Sequence, residues 1–171
     1  MADRSPATTA PNERAARGGR GDHSQAITLP PVIYAGFFAA GIVLDALWPA
    51  AVFPTAVQYA VGAGLLATGT AIAVPTLLAF RRHRTTLHVH QSTTALITDG
   101  PFRWSRNPAY LTLTLLYLSA AVMVDSLWVV ALSAPAVLVL TYGVIVREER
   151  YLERTFGDAY RRYRARVRRW L

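Results

Sequence analysis

Four apolar blocks constrain this chain more than any other feature of it. The first is "PVIYAGFFAAGIVLDALWPAAVF" from Pro31, and the second is "TAVQYAVGAGLLATGTAIAVPTLLAF", ending at Phe80. The third, "AYLTLTLLYLSAAVMV", covers Ala109 to Val124, and the fourth, "LWVVALSAPAVLVLTYGVIV", covers Leu127 to Val146. Crossing the hydrocarbon core of a bilayer takes about 20 apolar residues. The first, second and fourth blocks meet that length, and the third is completed by its own N-terminal turn in the interface. Lipid offers no partner to a bare backbone, so a crossing segment is a helix or part of a closed barrel. The expected fold is therefore all-α, a polytopic membrane protein with four transmembrane helices near residues 31–50, 56–80, 109–124 and 127–154. The last two are expected to form a hairpin turning at "VDS". Pro75 and Pro135 lie inside spans and should kink them or be relieved by neighbours. Asp45, the one charged residue inside a block, is expected near the outer interface.

Charge placement sets the orientation. The chain carries 18 basic side chains, all arginine, and a net charge of +8. In a soluble protein that excess would point to nucleic acid. Here Arg4, Arg14, Arg17 and Arg20 precede the first block, Arg81, Arg82, Arg84, Arg103 and Arg106 separate the second from the third, and the remaining nine follow Val146. The connections around Phe53 and Asp125 have none. The positive-inside rule puts both termini and the middle loop in the cytoplasm. Trp48, Tyr59 and Trp128 fall at the opposite ends of their helices, as an aromatic belt requires. The arginines are then explained by topology and membrane lipids, and nucleic acid is not an expected partner. Residues 1–28 have no apolar period and are expected to be a disordered cytoplasmic tail, without a signal-peptide layout at the start. Residues 29–171 form the membrane domain. Cysteine is absent, which excludes disulfides, thiolate metal sites and a cysteine nucleophile. His88 and His90 share a face in an extended segment but lack a third ligand, so no metal is expected.

Polar residues of specific type gather at the cytoplasmic end. In "SRNPAYL", Asn107 is placed to cap a helix and Pro108 to occupy its first turn. A helix start also presents free N–H groups and a positive dipole end, suited to a carboxylate or phosphate, and Arg106 stands beside it. Across the expected hairpin, "REERYLERTFGDAYRRYRARVRRWL" brings Glu148 and Glu149 to the membrane surface. Gly157 reads as a helix C-cap and Asp158 as the cap of a last amphipathic helix over 158–170, with Tyr160, Tyr163 and Val167 on one face. The glutamates suit a cation, whereas Arg106 and the helix start suit an anion. A zwitterionic ligand suits both.

With "ALITDGPFRWSRNPAYL" followed by an apolar hairpin and then that C-terminal stretch, the chain resembles the isoprenylcysteine carboxyl methyltransferase and phospholipid methyltransferase family. The resemblance covers roughly residues 80–171, and Thr85 and Thr86 fit its bacterial members. It implies an integral membrane enzyme of the bacterial plasma membrane with S-adenosylmethionine as methyl donor. Carried over by position, the donor would contact Gly100, Pro101, Arg106, Asn107, Pro108, Tyr110 and Glu148, with Tyr160 from the last helix. Arg106 and Glu149 are the implied catalytic pair, and Arg103 is the candidate contact for the acceptor. Two positions depart from the family pattern. Asn107 stands where many relatives have His, which keeps a cap but removes any proton transfer. Thr112 stands where they often have Gly, which narrows the approach of a donor to the helix.

Methyl transfer from a sulfonium is an in-line displacement that needs alignment and no covalent enzyme intermediate. A carboxylate acceptor needs no general base, and Arg103 or Arg106 can hold a carboxylate or phosphate. Entry from the lipid implies a lipophilic small molecule or lipid substrate, through a carboxylate or a head group. Two other classes fit parts of the pattern: a sterol-reductase-like membrane enzyme using NADPH, which needs a longer basic channel, and a non-enzymatic membrane subunit whose motifs only brace the hairpin.

Overall fold

The computed structural model describes residues 30–82 and 96–171. The tail over 1–28 and the candidate histidines His88 and His90, with Arg84, Thr85 and Thr86, lie outside the described residues. The described chain is helical, with α1 at Pro30–Leu47, α2 at Thr55–Arg82, a 3-10 turn at Gly100–Arg103 and α3 at Pro108–Met123. Next come α4 at Leu127–Leu140, a π turn at Thr141–Ile145, α5 at Val146–Phe156 and α6 at Asp158–Arg166. The segment from α4 through α5 is one continuous helix of 30 residues, Leu127–Phe156. Pro75 and Pro135 both lie inside helices.

Among the described residues, α1, α2 and the long Leu127–Phe156 helix are long and apolar enough to cross a membrane. The shorter α3 has 16 residues, about 24 Å at the α-helical rise, against a hydrocarbon core of about 30 Å. The outer surfaces of these helices are apolar, with Ile42, Leu66, Leu77 and Leu138 all exposed. Such an exterior has no favourable contact with water and suits lipid tails.

Packing follows two pairings. α2 lies along α3 and α1 along α4. The α3–α4 connection is the tight turn expected at "VDS", with Asp125 at φ 51°, but the main lateral contacts of each helix are with other partners. Small residues let the helices close. The Ser119 hydroxyl of α3 donates to the Gly62 carbonyl of α2 at 2.7 Å. A Cβ on Gly41 of α1 would sit 2.8 Å from the Val129 Cα of α4. Replacing Gly41 with leucine should therefore force α1 from α4 and cost about 1–3 kcal/mol, the usual range for overpacking. Gly36→Ala is the control, because its added Cβ meets nothing within 4 Å. Thermal unfolding in detergent should separate the two variants.

The end remote from the arginines is a closed hydrogen-bond network. Asp125 Oδ1 accepts from the Val52 and Phe53 amides at 3.0 and 2.9 Å. These bonds hold its carboxyl below the usual carboxylate range. The Ser126 hydroxyl donates to Asp45 Oδ1 at 2.9 Å, and Trp128 Nε1 donates to the Trp48 carbonyl at 2.7 Å. Asp45 thus satisfies a connection, and its charge is explained by structure. In the interior, the Tyr34 and Thr114 hydroxyls share a hydrogen bond of 2.6 Å. The Tyr117 hydroxyl donates to the Val129 carbonyl at 2.9 Å.

The C-terminal helix differs from its expected extent. It stops at Arg166, and Val167 is extended at φ −118° and ψ 131°. The reason lies in the backbone. Arg168 forms a parallel bridge with Ser105, and its carbonyl accepts from the Arg106 amide at 3.0 Å. A helix continued to residue 170 would forfeit these bonds to the start of α3. Asp158 does not cap α6; Gly157 holds that position, and Asp158 pairs with Arg161 on the surface at 3.0 Å. Gly157 does end α5, with φ 50° and its amide donating to the Glu153 carbonyl at 2.9 Å.

Candidate functional site

The site is assembled from the 3-10 turn, the start of α3, α5 and the last residues of the chain. Gly100 opens the turn at φ 57°, left-handed backbone that a residue with a Cβ enters only at a cost of about 1–2 kcal/mol. Pro101 behind it is buried, and Phe102 meets Phe80 of α2 edge-on at 5.6 Å between ring centres. The Tyr163 hydroxyl of α6 donates to the Phe102 carbonyl at 2.7 Å. The turn is thereby fixed between α2 and α6. Arg103 on its outer side is exposed.

α3 begins at Pro108 as its sequence requires, but Asn107 makes no side-chain cap. Its Nδ2 instead donates to the Arg169 carbonyl at 3.0 Å, while its own amide donates to the Ser105 hydroxyl at 3.1 Å. The extended C-terminal residues offer a carbonyl that needs a donor, and turning Nδ2 toward it leaves Oδ1 making no cap to the helix. Aspartate caps helices as well as asparagine does, yet it cannot donate to a carbonyl. Asn107→Asp should therefore destabilise the fold more than Asn107→Ala, which should cost about 1 kcal/mol for one hydrogen bond. Unfolding midpoints of the two variants check this ordering.

Two adjacent glutamates on α5 have different partners. The Glu149 side chain is 8% exposed, and both its oxygens are engaged by Arg169, whose Nε and Nη2 approach Oε1 and Oε2 at 3.0 and 2.7 Å. Arg106 Nη2 adds a contact to Oε1 at 3.2 Å. Two cations thus share one anion in a buried place. Glu148 faces α3, where Oε1 accepts from the Tyr110 hydroxyl at 2.7 Å. That partner is neutral, so the charge of Glu148 is not compensated by it. Burial, and then Glu149, pushes the Tyr160 hydroxyl above its usual range, with Arg106 opposing. The bond to Glu149 raises Arg169, which stays a cation.

Arg106 is the least satisfied member of this group. Its side chain is 9% exposed, and among the described residues Nε and Nη1 are buried with no partner in hydrogen-bond geometry, although the Tyr160 hydroxyl lies close enough to interact with Arg106. Buried donors of a charged group are costly when unpaired. Spare donors and an excess positive charge make this a place for an anion. Glu148 makes a place for a cation beside it.

The site was only partly visible in the sequence. Gly100, Pro101, Arg106, Asn107, Pro108, Tyr110, Glu148, Glu149 and Tyr160 all belong to these converging elements, whereas Arg103 is at the exposed edge. Arg169 was missed, because it is one of six arginines between Arg161 and Arg169 and no spacing separates it from the rest. The π turn was also missed, because "TYGVI" reads as ordinary apolar helix. A π turn adds about one residue to a helical turn and so rotates the succeeding residues by roughly 100°. Thr112 lies two turns before Ser119, on the side of α3 that meets α2, and is buried. Its departure from Gly therefore bears on helix packing and not on the Tyr110 side.

The phospholipid methyltransferase family model matches residues 57–159, from the first turn of α2 to the first turn of α6. The chain belongs to the phospholipid methyltransferase family. Three of its described helices are long and apolar enough to cross a membrane, as suits that family. An uncharacterised protein of Haemophilus influenzae is 60% identical over 35 residues, which is 20% of this chain and 56% of that protein. The chain thus aligns with little more than half the length of that relative. No solved structure matches. The family match takes in Gly100, Arg106, Asn107, Tyr110, Glu148 and Glu149, and it ends before Tyr160 and Arg169.

Proposed function

We propose that this chain transfers a methyl group from S-adenosylmethionine to a lipophilic acceptor, a carboxylate or a lipid head group that enters from the membrane. The observation that carries the reading is the pairing of unlike capacities at the start of α3. Among the described residues, two buried nitrogens of Arg106 have no hydrogen-bond partner, and the hydrogen bond of Glu148 is to a neutral group, the Tyr110 hydroxyl. The donor's carboxylate fits the first, and its ammonium and sulfonium charges fit the second. When bound, S-adenosylmethionine supplies a methyl carbon made electrophilic by the sulfonium.

The protein's contribution is binding and alignment. Arg106 holds the carboxylate, and Glu149 fixes Arg106 from the other side. Tyr110 fixes the Glu148 carboxylate against the cationic part. Gly100, Pro101, Asn107 and Pro108 contribute from the turn and the start of α3, and Tyr160 of α6 stands near Arg106. Arg103, at the exposed edge, is placed to hold an anionic acceptor. A carboxylate acceptor requires no proton removal, so the reading asks for alignment and no general base.

In this reading the arginine-rich end, with both termini, lies in the cytoplasm of a bacterial cell at the plasma membrane. α3 completes a fourth crossing with its N-terminal turn in the interface. Calorimetry of the purified protein with S-adenosylmethionine and with NADPH tests the donor. Heat of binding with the first and none with the second is expected; binding of NADPH alone would sink the reading.

A further inference from the structure

The last residues of the chain lie extended against the start of α3. The Arg168 carbonyl takes the Arg106 amide at 3.0 Å, and the Arg169 carbonyl takes Asn107 Nδ2 at 3.0 Å and the Ser105 hydroxyl at 3.4 Å. Trp170 packs against the buried core that includes Val144 and Ile145. These contacts aim the Arg169 guanidinium at Glu149, where its fork covers both oxygens at 3.0 and 2.7 Å. Arg106 reaches the same carboxylate through Nη2 alone, at 3.2 Å.

A carboxylate offers a planar two-oxygen face that one guanidinium fills edge to edge. With that face taken by Arg169, Arg106 is confined to a side-on contact, which leaves Nε and Nη1 unspent. Without Arg169, the buried Glu149 would draw a second nitrogen of Arg106 into a bidentate pair, and one of the two spare nitrogens would be lost. We infer that Arg169 is a positioning residue: by occupying Glu149 it keeps two donors of Arg106 free for the anionic group of the bound ligand. The assignment rests on the donor-site reading above. It concerns a residue outside the stretch that the family match covers.

The experiment measures dissociation constants for S-adenosylmethionine by calorimetry, and KM and kcat by methyl transfer, on the full chain in detergent. Arg169→Met should weaken donor binding about tenfold or more, equivalent to one charged hydrogen bond, with a smaller change in kcat. Arg169→Lys should fall between, because one ammonium cannot cover both oxygens. The deciding variant is the double substitution R169M with E149Q. Removing the Glu149 charge releases Arg106, so donor affinity should rise from the R169M level part of the way toward wild type. A C-terminal segment that merely braced the fold would not be rescued by E149Q. Wild-type affinity in R169M, or no repair in the double variant, overturns the assignment while leaving the donor reading intact. If R169M does not fold, wild-type affinity in R169K overturns it. A wild type that binds no S-adenosylmethionine overturns the donor reading and this assignment together.

Discussion

Arg106→Met should lower the affinity for S-adenosylmethionine by roughly 10- to 100-fold and leave a folded protein. Methionine keeps most of the stem's volume and removes the guanidinium. Its two buried nitrogens, Nε and Nη1, then no longer meet the ligand. A hydrogen bond to a charged group contributes about 1.5–3 kcal/mol, and each 1.4 kcal/mol is a factor of ten. The fold should survive because Glu149 keeps its two contacts with Arg169, at 3.0 and 2.7 Å. Breaking a buried pair is severe when a charge is left alone, and here it is not. Arg106→Lys should recover only part of the affinity, since a point charge cannot hold Glu149 and a carboxylate at once. Calorimetry on both variants, with thermal unfolding as control, checks the result.

Glu148→Gln should weaken the donor by about tenfold or more without loss of stability. Glutamine retains a carbonyl oxygen to accept from the Tyr110 hydroxyl, now 2.7 Å from Glu148 Oε1. The local packing is kept and only the charge is removed. An attraction of unit charges at about 4 Å near a protein surface is worth up to ~4 kcal/mol, and desolvation takes back a large part of it. Since the tyrosine does not neutralise Glu148, the folded protein should be as stable with glutamine there, or more stable. The measurement is the donor dissociation constant beside the unfolding midpoint. An unchanged affinity in a folded variant would remove Glu148 from the site.

The helical class was legible in the sequence because long apolar runs in lipid leave the backbone little choice. The start of α3 was legible for the same kind of local reason, since Pro108 fits a first turn and little else. What local chemistry could not supply was the choice between partners. Asn107 is a good cap by itself, yet a carbonyl of the extended C-terminal residues takes its side chain. Residues 167–170 continue a stretch that reads as helix, but Arg168 and Arg169 find partners at the start of α3. Glu148 and Glu149 are indistinguishable as neighbours in a sequence. They acquire different partners only once Tyr110 and Arg169 are brought to them from 38 and 20 residues away. Such long-range pairings leave no period in the chain.

The central claim is tested most directly by transfer of labelled methyl from S-adenosylmethionine in membranes containing this protein, with the lipid-extracted product followed. The account predicts label in a lipophilic product, formed by the wild type and strongly reduced in both Arg106→Met and Glu148→Gln. Label that appears only in water-soluble products, or that persists undiminished in both variants, would contradict it.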